Sequence, residues 1–155
     1  MWGRAQFSLL VPPVPLALLG WRVQTVDSAG TSSEHEGDAP DSRSIAEAAR
    51  RGLDISTHRA QQLRASHWES FDVILSMDSS NYRNVQRSKP KGAYSAAGAG
   101  SKLAKLLMYL PSGDVPDPWY GDDSGFSDCY ELLNKHTDHV FATVLKAVES
   151  EGAKK

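Results

Sequence analysis

The sequence predicts an α/β fold in three layers, a parallel sheet flanked by helices. Three observations carry that expectation. Candidate strands and helices alternate along the chain, the order that builds parallel sheets. Phe71 to Met77 (FDVILSM) is a compact apolar, β-branched run of the kind that forms a buried strand. Ser127 to Val148 keeps Tyr130, Leu133, Val140, Val144, Leu145 and Val148 on one face at helical spacing.

The elements follow in order. Residues 1–20 are apolar, Pro-rich and almost uncharged, and read as an extension apart from a domain over 21–150. Within it, Phe7 to Leu19 is too short to cross a bilayer. Pro12, Pro13 and Pro15 break the helix that a secretory leader forms there. Val23 to Val26 is expected as a short strand entering the turn Asp27-Ser28-Ala29-Gly30-Thr31. Residues 32–41 read as a loop. Ser42 to Arg51 reads as a helix, with Ile45, Ala48 and Ala49 as its apolar face and Gly52 past its basic end. Ser66-His67-Trp68-Glu69 matches a capping box for a short helix.

After the Phe71–Met77 strand, Asp78-Ser79-Ser80-Asn81 supplies cap oxygens for another helix. Asp78 is therefore expected to cap that helix or to form a structural ion pair, rather than to take part in chemistry. Residues 88–101 hold breakers and read as a loop. Lys102 to Leu110 is apolar and open between helix and strand. Pro111 to Phe126 reads as a long loop containing Asp114, Asp117, Asp122 and Asp123.

Composition narrows the function classes. A chain of 155 residues, 40% apolar and 23% charged, can bury a core as one ordinary domain. Lys and Arg total 17 against 19 Asp and Glu, so no basic surplus draws it to nucleic acid or anionic lipid. Cys129 is the only cysteine, which excludes an internal disulfide and a multi-thiolate metal site. One cysteine fits a reducing compartment, and a cytoplasmic location is expected, with a weak signal-peptide core over Phe7 to Leu19 as the alternative. His35, His58, His67, His136 and His139 match no zinc spacing, so neither metal nor other cofactor is expected.

Three stretches together say more than any one alone. They are VDSAGT (Val26–Thr31), FDVILSMD (Phe71–Asp78) with Ser80-Asn81 beyond it, and PDPWYGDD (Pro116–Asp123). Between the first two lie Gly37–Arg43 and Ser56-Thr57-His58-Arg59-Ala60. In this order they resemble the low-molecular-weight protein-tyrosine-phosphatase family, over roughly Trp21 to Leu145. The resemblance implies a phosphotyrosine phosphatase I-like fold. It implies hydrolysis of a phosphotyrosine protein or aryl phosphate through a covalent phosphocysteine, without a cofactor.

By that resemblance Asp117 is the general acid that protonates the leaving phenolate and then activates water. The residues agree: Pro116 and Pro118 hold Asp117 on a stiffened loop, and a poor leaving group needs a proton donor. Trp119 and Tyr120 stand where the family has two tyrosines walling the substrate cleft, Trp119 keeping a broad aromatic face. Ser28 and His58 match the serine and histidine that brace the phosphate loop. Glu34 stands where the family carries an aromatic that touches substrate.

The family's phosphate loop is a Cys, five residues, then Arg and Ser. Backbone N–H groups and a helix N-terminus bind the phosphate oxygens there. They also lower the thiol pKa. No such run occurs in this sequence; Cys129 is followed six residues later by Lys135. The resemblance therefore implies that the N-terminal strand and helix are missing or replaced and that the chain is inactive. A non-catalytic binding or regulatory remnant, or a truncated gene product, are the alternatives. The oligomeric state is left open.

Overall fold

The structure is a computed structural model that describes residues 25–91, 103–122 and 124–152. The chain divides into two compact units.

The first unit holds the described residues up to Gln62 and those from Asp117 to Thr137. Its first helix, α1, is Ser42–Arg50. Asp41 starts it: the side chain accepts the Arg43 N–H at 2.8 Å, satisfying one of the otherwise orphaned donors of the first turn. Gly52 ends it at φ +76°, a left-handed conformation that L side chains resist. Leu53 N–H then returns to the Ala48 carbonyl at 2.9 Å. Ala48 is fully buried, as its place on the apolar face predicts, but Ala49 is exposed and Glu47 is buried instead.

The Asp117 segment forms a short 3₁₀ turn, Pro118–Tyr120. The long helix α4 follows over Ser124–Gly152. It begins three residues before the expected Ser127, because Asp122 accepts from both the N–H and the hydroxyl of Ser124, at 3.0 and 2.6 Å. In its first part Phe126, Cys129, Leu133 and Thr137 are buried on one helical stripe. The Thr137 hydroxyl donates to the Leu133 carbonyl at 3.0 Å, so this polar group is satisfied inside.

The second unit holds Leu63 to Pro116 and the rest of α4. It opens with α2, Ala65–Ser70. The expected box of Ser66 with Glu69 is shifted: His67 Nδ1 accepts the N–H of Arg64 at 3.0 Å, so the reciprocal bond comes from a histidine. Strand β1 is Val73–Ser76, the centre of the expected Phe71–Met77 run. Helix α3 is Ser79–Ser88, and Asp78 caps it by accepting the Asn81 N–H at 2.7 Å. Strand β2, Lys105–Met108, resolves the open reading of Lys102 to Leu110 as strand. Lys102 itself and residues 92–101 lie outside the described residues.

β1 and β2 pair in parallel, Val73 with Lys105 through Ser76 with Met108. A parallel pair needs a crossover, and α3 lies on it. Trp68, fully buried, Val85 and Ala104 form a core on which Leu63, Ile74, Leu103 and Leu106 pack. Ile74 and Leu106 are partners in register and face that core together. Alternation turns Lys105 to the opposite face of β2, where its Nζ donates to the Ala147 carbonyl of α4. Helices thus cover both faces of this parallel sheet, the expected three layers.

The described half of the expected Val23–Val26 strand is not strand. Thr25 and Val26 are irregular and Val26 is 50% exposed, while Val23 and Gln24 lie outside the described residues. Pairing begins later, with a single parallel bridge between Gly30 and Gln62. The expected extension over residues 1–20 lies outside the described residues as well. No described helix is long and apolar enough to cross a membrane.

Candidate active site

The Asp27–Gly30 turn is laced to the segment after α1. Gly30 N–H donates to the Gln61 carbonyl at 2.8 Å. Gln61 Nε2 donates back to Asp27 Oδ2 at 2.7 Å and to the Ser28 carbonyl at 3.0 Å. These bonds bring Ser28 and His58 together: Oγ and Nε2 are 2.8 Å apart, and the pair is partly buried. His58 sits in a turn closed by its N–H on the Ile55 carbonyl at 3.1 Å. The Arg59 guanidinium donates to the Ser56 and His58 carbonyls, at 2.8 and 2.6 Å, and stiffens that turn.

Asp117 is built differently. It caps the 3₁₀ turn, its Oδ1 accepting the Trp119 N–H at 3.0 Å. Pro118 follows at the first turn position, where its missing N–H costs nothing. The turn rests on the start of α4, where a Cβ on Gly125 would stand 3.6 Å from that of Pro118. Asp117 is half-buried, and among the described residues no hydrogen bond reaches its Oδ2 or joins it to the Ser28–His58 pair. A carboxyl held by one oxygen, with the other uncommitted, is suited to handing a proton to a neighbour.

The aromatic residues divide. Trp119 is half-buried, with the Arg43 guanidinium 5.1 Å from its ring centre. The same guanidinium lies 4.4 Å from the Phe126 ring, and Asp41 holds it in a salt bridge of 3.0 Å. Tyr120 is 75% exposed. Asp78 is committed to capping α3, its side chain taking bonds from both the backbone and the side-chain amide of Asn81.

The sequence reading missed Arg43, Phe126 and Glu47. Glu47 is buried and bridged by Arg50 at 2.6 Å and Arg51 at 2.9 Å, and Arg51 reaches on to Glu131. A Glu three and four residues before two arginines on a helix was the available signal. For Arg43 no local pattern exists, because its ring partners lie far along the chain.

Cys129 is buried and unpaired. Burial pushes its thiol up to about 11, and the Asp117 charge adds to the shift. Thiolate is the reactive form. Both effects therefore favour the thiol over the thiolate at neutral pH. Among the described residues no cluster of His, Cys, Asp and Glu could hold a metal ion.

With this geometry in place, comparison with known proteins decides the lineage. Residues 17–151 match the family described as low molecular weight phosphotyrosine protein phosphatase. The chain belongs to that family. A low molecular weight phosphotyrosine protein phosphatase of Schizosaccharomyces pombe is 38% identical over 115 residues, covering 72% of this chain and 69% of the relative. A low molecular weight protein-tyrosine-phosphatase of Streptomyces coelicolor is 33% identical over 132 residues, covering 82% and 77%. A crystal structure of the protein tyrosine phosphatase of Entamoeba histolytica, with Hepes in its active site, superposes with a TM-score of 0.62. It is 26% identical and covers 76% of this chain and 73% of that one. The α/β fold and the family agree with the resemblance read from the three motifs.

Proposed function

We propose that this chain keeps the proton-transfer side of phosphotyrosine hydrolysis and, as a 155-residue polypeptide, does not turn substrate over. In this reading Asp117 is the general acid and base, Trp119 and Tyr120 wall the place of the aryl group, and Ser28 with His58 braces the phosphate site. The substrate class is a phosphotyrosine protein or an aryl phosphate, carried over from the family. A cytoplasmic location rests on the single cysteine of the sequence.

The observation that carries the inactivity is the state of Cys129. It is the only thiol in the chain and it is buried in α4, where burial favours the thiol over the reactive thiolate. General acid catalysis contributes about 10²- to 10⁴-fold. That is small beside the positioning and charge stabilisation that a nucleophile and an anion cradle provide. Asp117 alone cannot form the phosphoenzyme.

The test is an assay of the purified chain on p-nitrophenyl phosphate and on a phosphotyrosine peptide. The expected outcome is release of phosphate at the buffer rate. Turnover that disappears in Asp117→Ala would overturn the inactivity and leave the family assignment standing.

One observation favours a second reading, a binding role without chemistry. Tyr120 is largely exposed beside Trp119, an aromatic pair open to a ligand ring. Calorimetric titration with phosphotyrosine separates the two. Heat that is lost in Trp119→Ala supports binding, and no heat removes that reading.

A further inference from the structure

We infer that Arg43 is the positioning residue of the acid loop: it clamps the Trp119 indole, and the backbone N–H of that same residue fixes the Asp117 carboxylate. This rests on the reading of Asp117 as the proton donor, and it names what holds that donor in place.

The chain of contacts is short and directional. Asp41 is itself anchored at the start of α1, where its side chain accepts the Arg43 N–H at 2.8 Å. Its two oxygens grip the Arg43 side chain in a fork, Nε to Oδ1 at 3.1 Å and Nη2 to Oδ2 at 3.0 Å. A two-point fork fixes the plane of the guanidinium as well as its position. That plane meets two rings, its carbon 4.4 Å from the centre of Phe126 and 5.1 Å from the centre of Trp119. Phe126 is 7% exposed and belongs to the buried stripe of α4, so one ring is a fixed wall. The other ring, Trp119, belongs to the loop that must be held.

From Trp119 the path is one residue's backbone. Its N–H donates to Asp117 Oδ1 at 3.0 Å. If the indole moves, the amide moves with it and the carboxyl loses its orientation. Tyr120 cannot do the same work, since it is three-quarters exposed. A lysine at position 43 would keep the charge but lose both the fork and the flat face that stacks on aromatic rings.

The experiment is amide hydrogen exchange by NMR on the full chain, comparing wild type with Arg43→Gln and Arg43→Lys. In R43Q the Trp119 amide is expected to exchange about tenfold faster, while the amides of α1 and of α4 keep their rates. In R43K the gain is expected to lie between the two. An unchanged Trp119 rate in R43Q, or an equal rise across all the amides of the unit, would overturn the proposal. If R43Q does not fold, Asp41→Asn serves instead, because asparagine still caps the helix through Oδ1 but removes the charge and the Oδ2 prong that holds Nη2. A selective rise of about threefold at Trp119 then supports the clamp, and no change overturns it. None of these readouts involves turnover, so the phosphatase reading can fail while the clamp stands, and the reverse.

Discussion

Ser28 and His58, thirty residues apart in sequence, share a hydrogen bond of 2.8 Å between Oγ and Nε2 in a partly buried setting. The two side chains that the family resemblance assigns to bracing a phosphate loop are bonded to each other. That bond joins the Asp27–Gly30 turn to the segment that follows α1, in parallel with the Gln61 bonds.

A double-mutant cycle measures it. Ser28→Ala and His58→Ala are each expected to cost about 1 kcal/mol, rising towards 3 where the remaining partner stays unsatisfied. The double variant should cost clearly less than the sum, with a coupling of about 1 kcal/mol. Urea denaturation of the four proteins gives the values, and strict additivity would show the bond to be idle.

The fork between Asp41 and Arg43 makes a prediction in pH. The hydrogen-bonded Arg43 guanidinium holds the Asp41 carboxyl below its ordinary value of 3.8, against the opposing effect of burial. A carboxylate lowered on folding adds stability above its unfolded pKa, and that stability is lost as pH falls through the folded value. Wild type should therefore melt above Asp41→Asn at neutral pH. The gap should close only below about pH 4, where the carboxylate protonates. A gap that is constant down to strongly acidic pH would contradict the fork.

Cys129 should be nearly inert to thiol reagents in the folded chain. Burial and the Asp117 charge push its pKa to about 11, and thiolate is the species that reacts. Modification by a disulfide reagent at pH 7.5 is expected to be at least about a hundredfold slower than in 6 M guanidinium. In Asp117→Asn the rate should rise modestly, because one source of the shift is removed.

Trp68 is the largest fully buried side chain described, set among Val85, Ala104, Ile74 and Leu106. Trp68→Ala is expected to destabilise by about 3–5 kcal/mol through lost burial and the cavity left behind. Trp68→Phe should cost less, chiefly the packing volume and the bond from Nε1 to Ser88 Oγ at 3.2 Å. Urea midpoints with unchanged slopes would check both values.

How much of this could be read in the residues depends on the range of the cause. The α1 stop at Gly52, the Asp78 cap and the Val73–Ser76 strand were legible, because their causes lie within a few residues. Val23 to Val26 reads as a strand by composition, yet its described half, Thr25 and Val26, is irregular and pairs with no strand among the described residues. The start of α4 lies earlier than the sequence predicts, because the prolines, glycines and four aspartates of Pro111 to Phe126 read as loop, while Asp122 ties down Ser124. At the site, the residue identities came from the motif order. What the sequence could not hold was the company those residues keep. Arg43 meets Trp119 and Phe126 only after the chain has folded back, and no periodicity reports that.

The surroundings of two indoles give the chain a pair of internal lamps. Trp68 is sealed from solvent in the second unit, and Trp119 is half-buried beside a guanidinium in the first. With Trp2 and Trp21 changed to phenylalanine, the blue emission of one and the redder emission of the other would each follow its own unit. A single denaturation run could then tell whether the halves dissolve in one step or in two, with no dye attached.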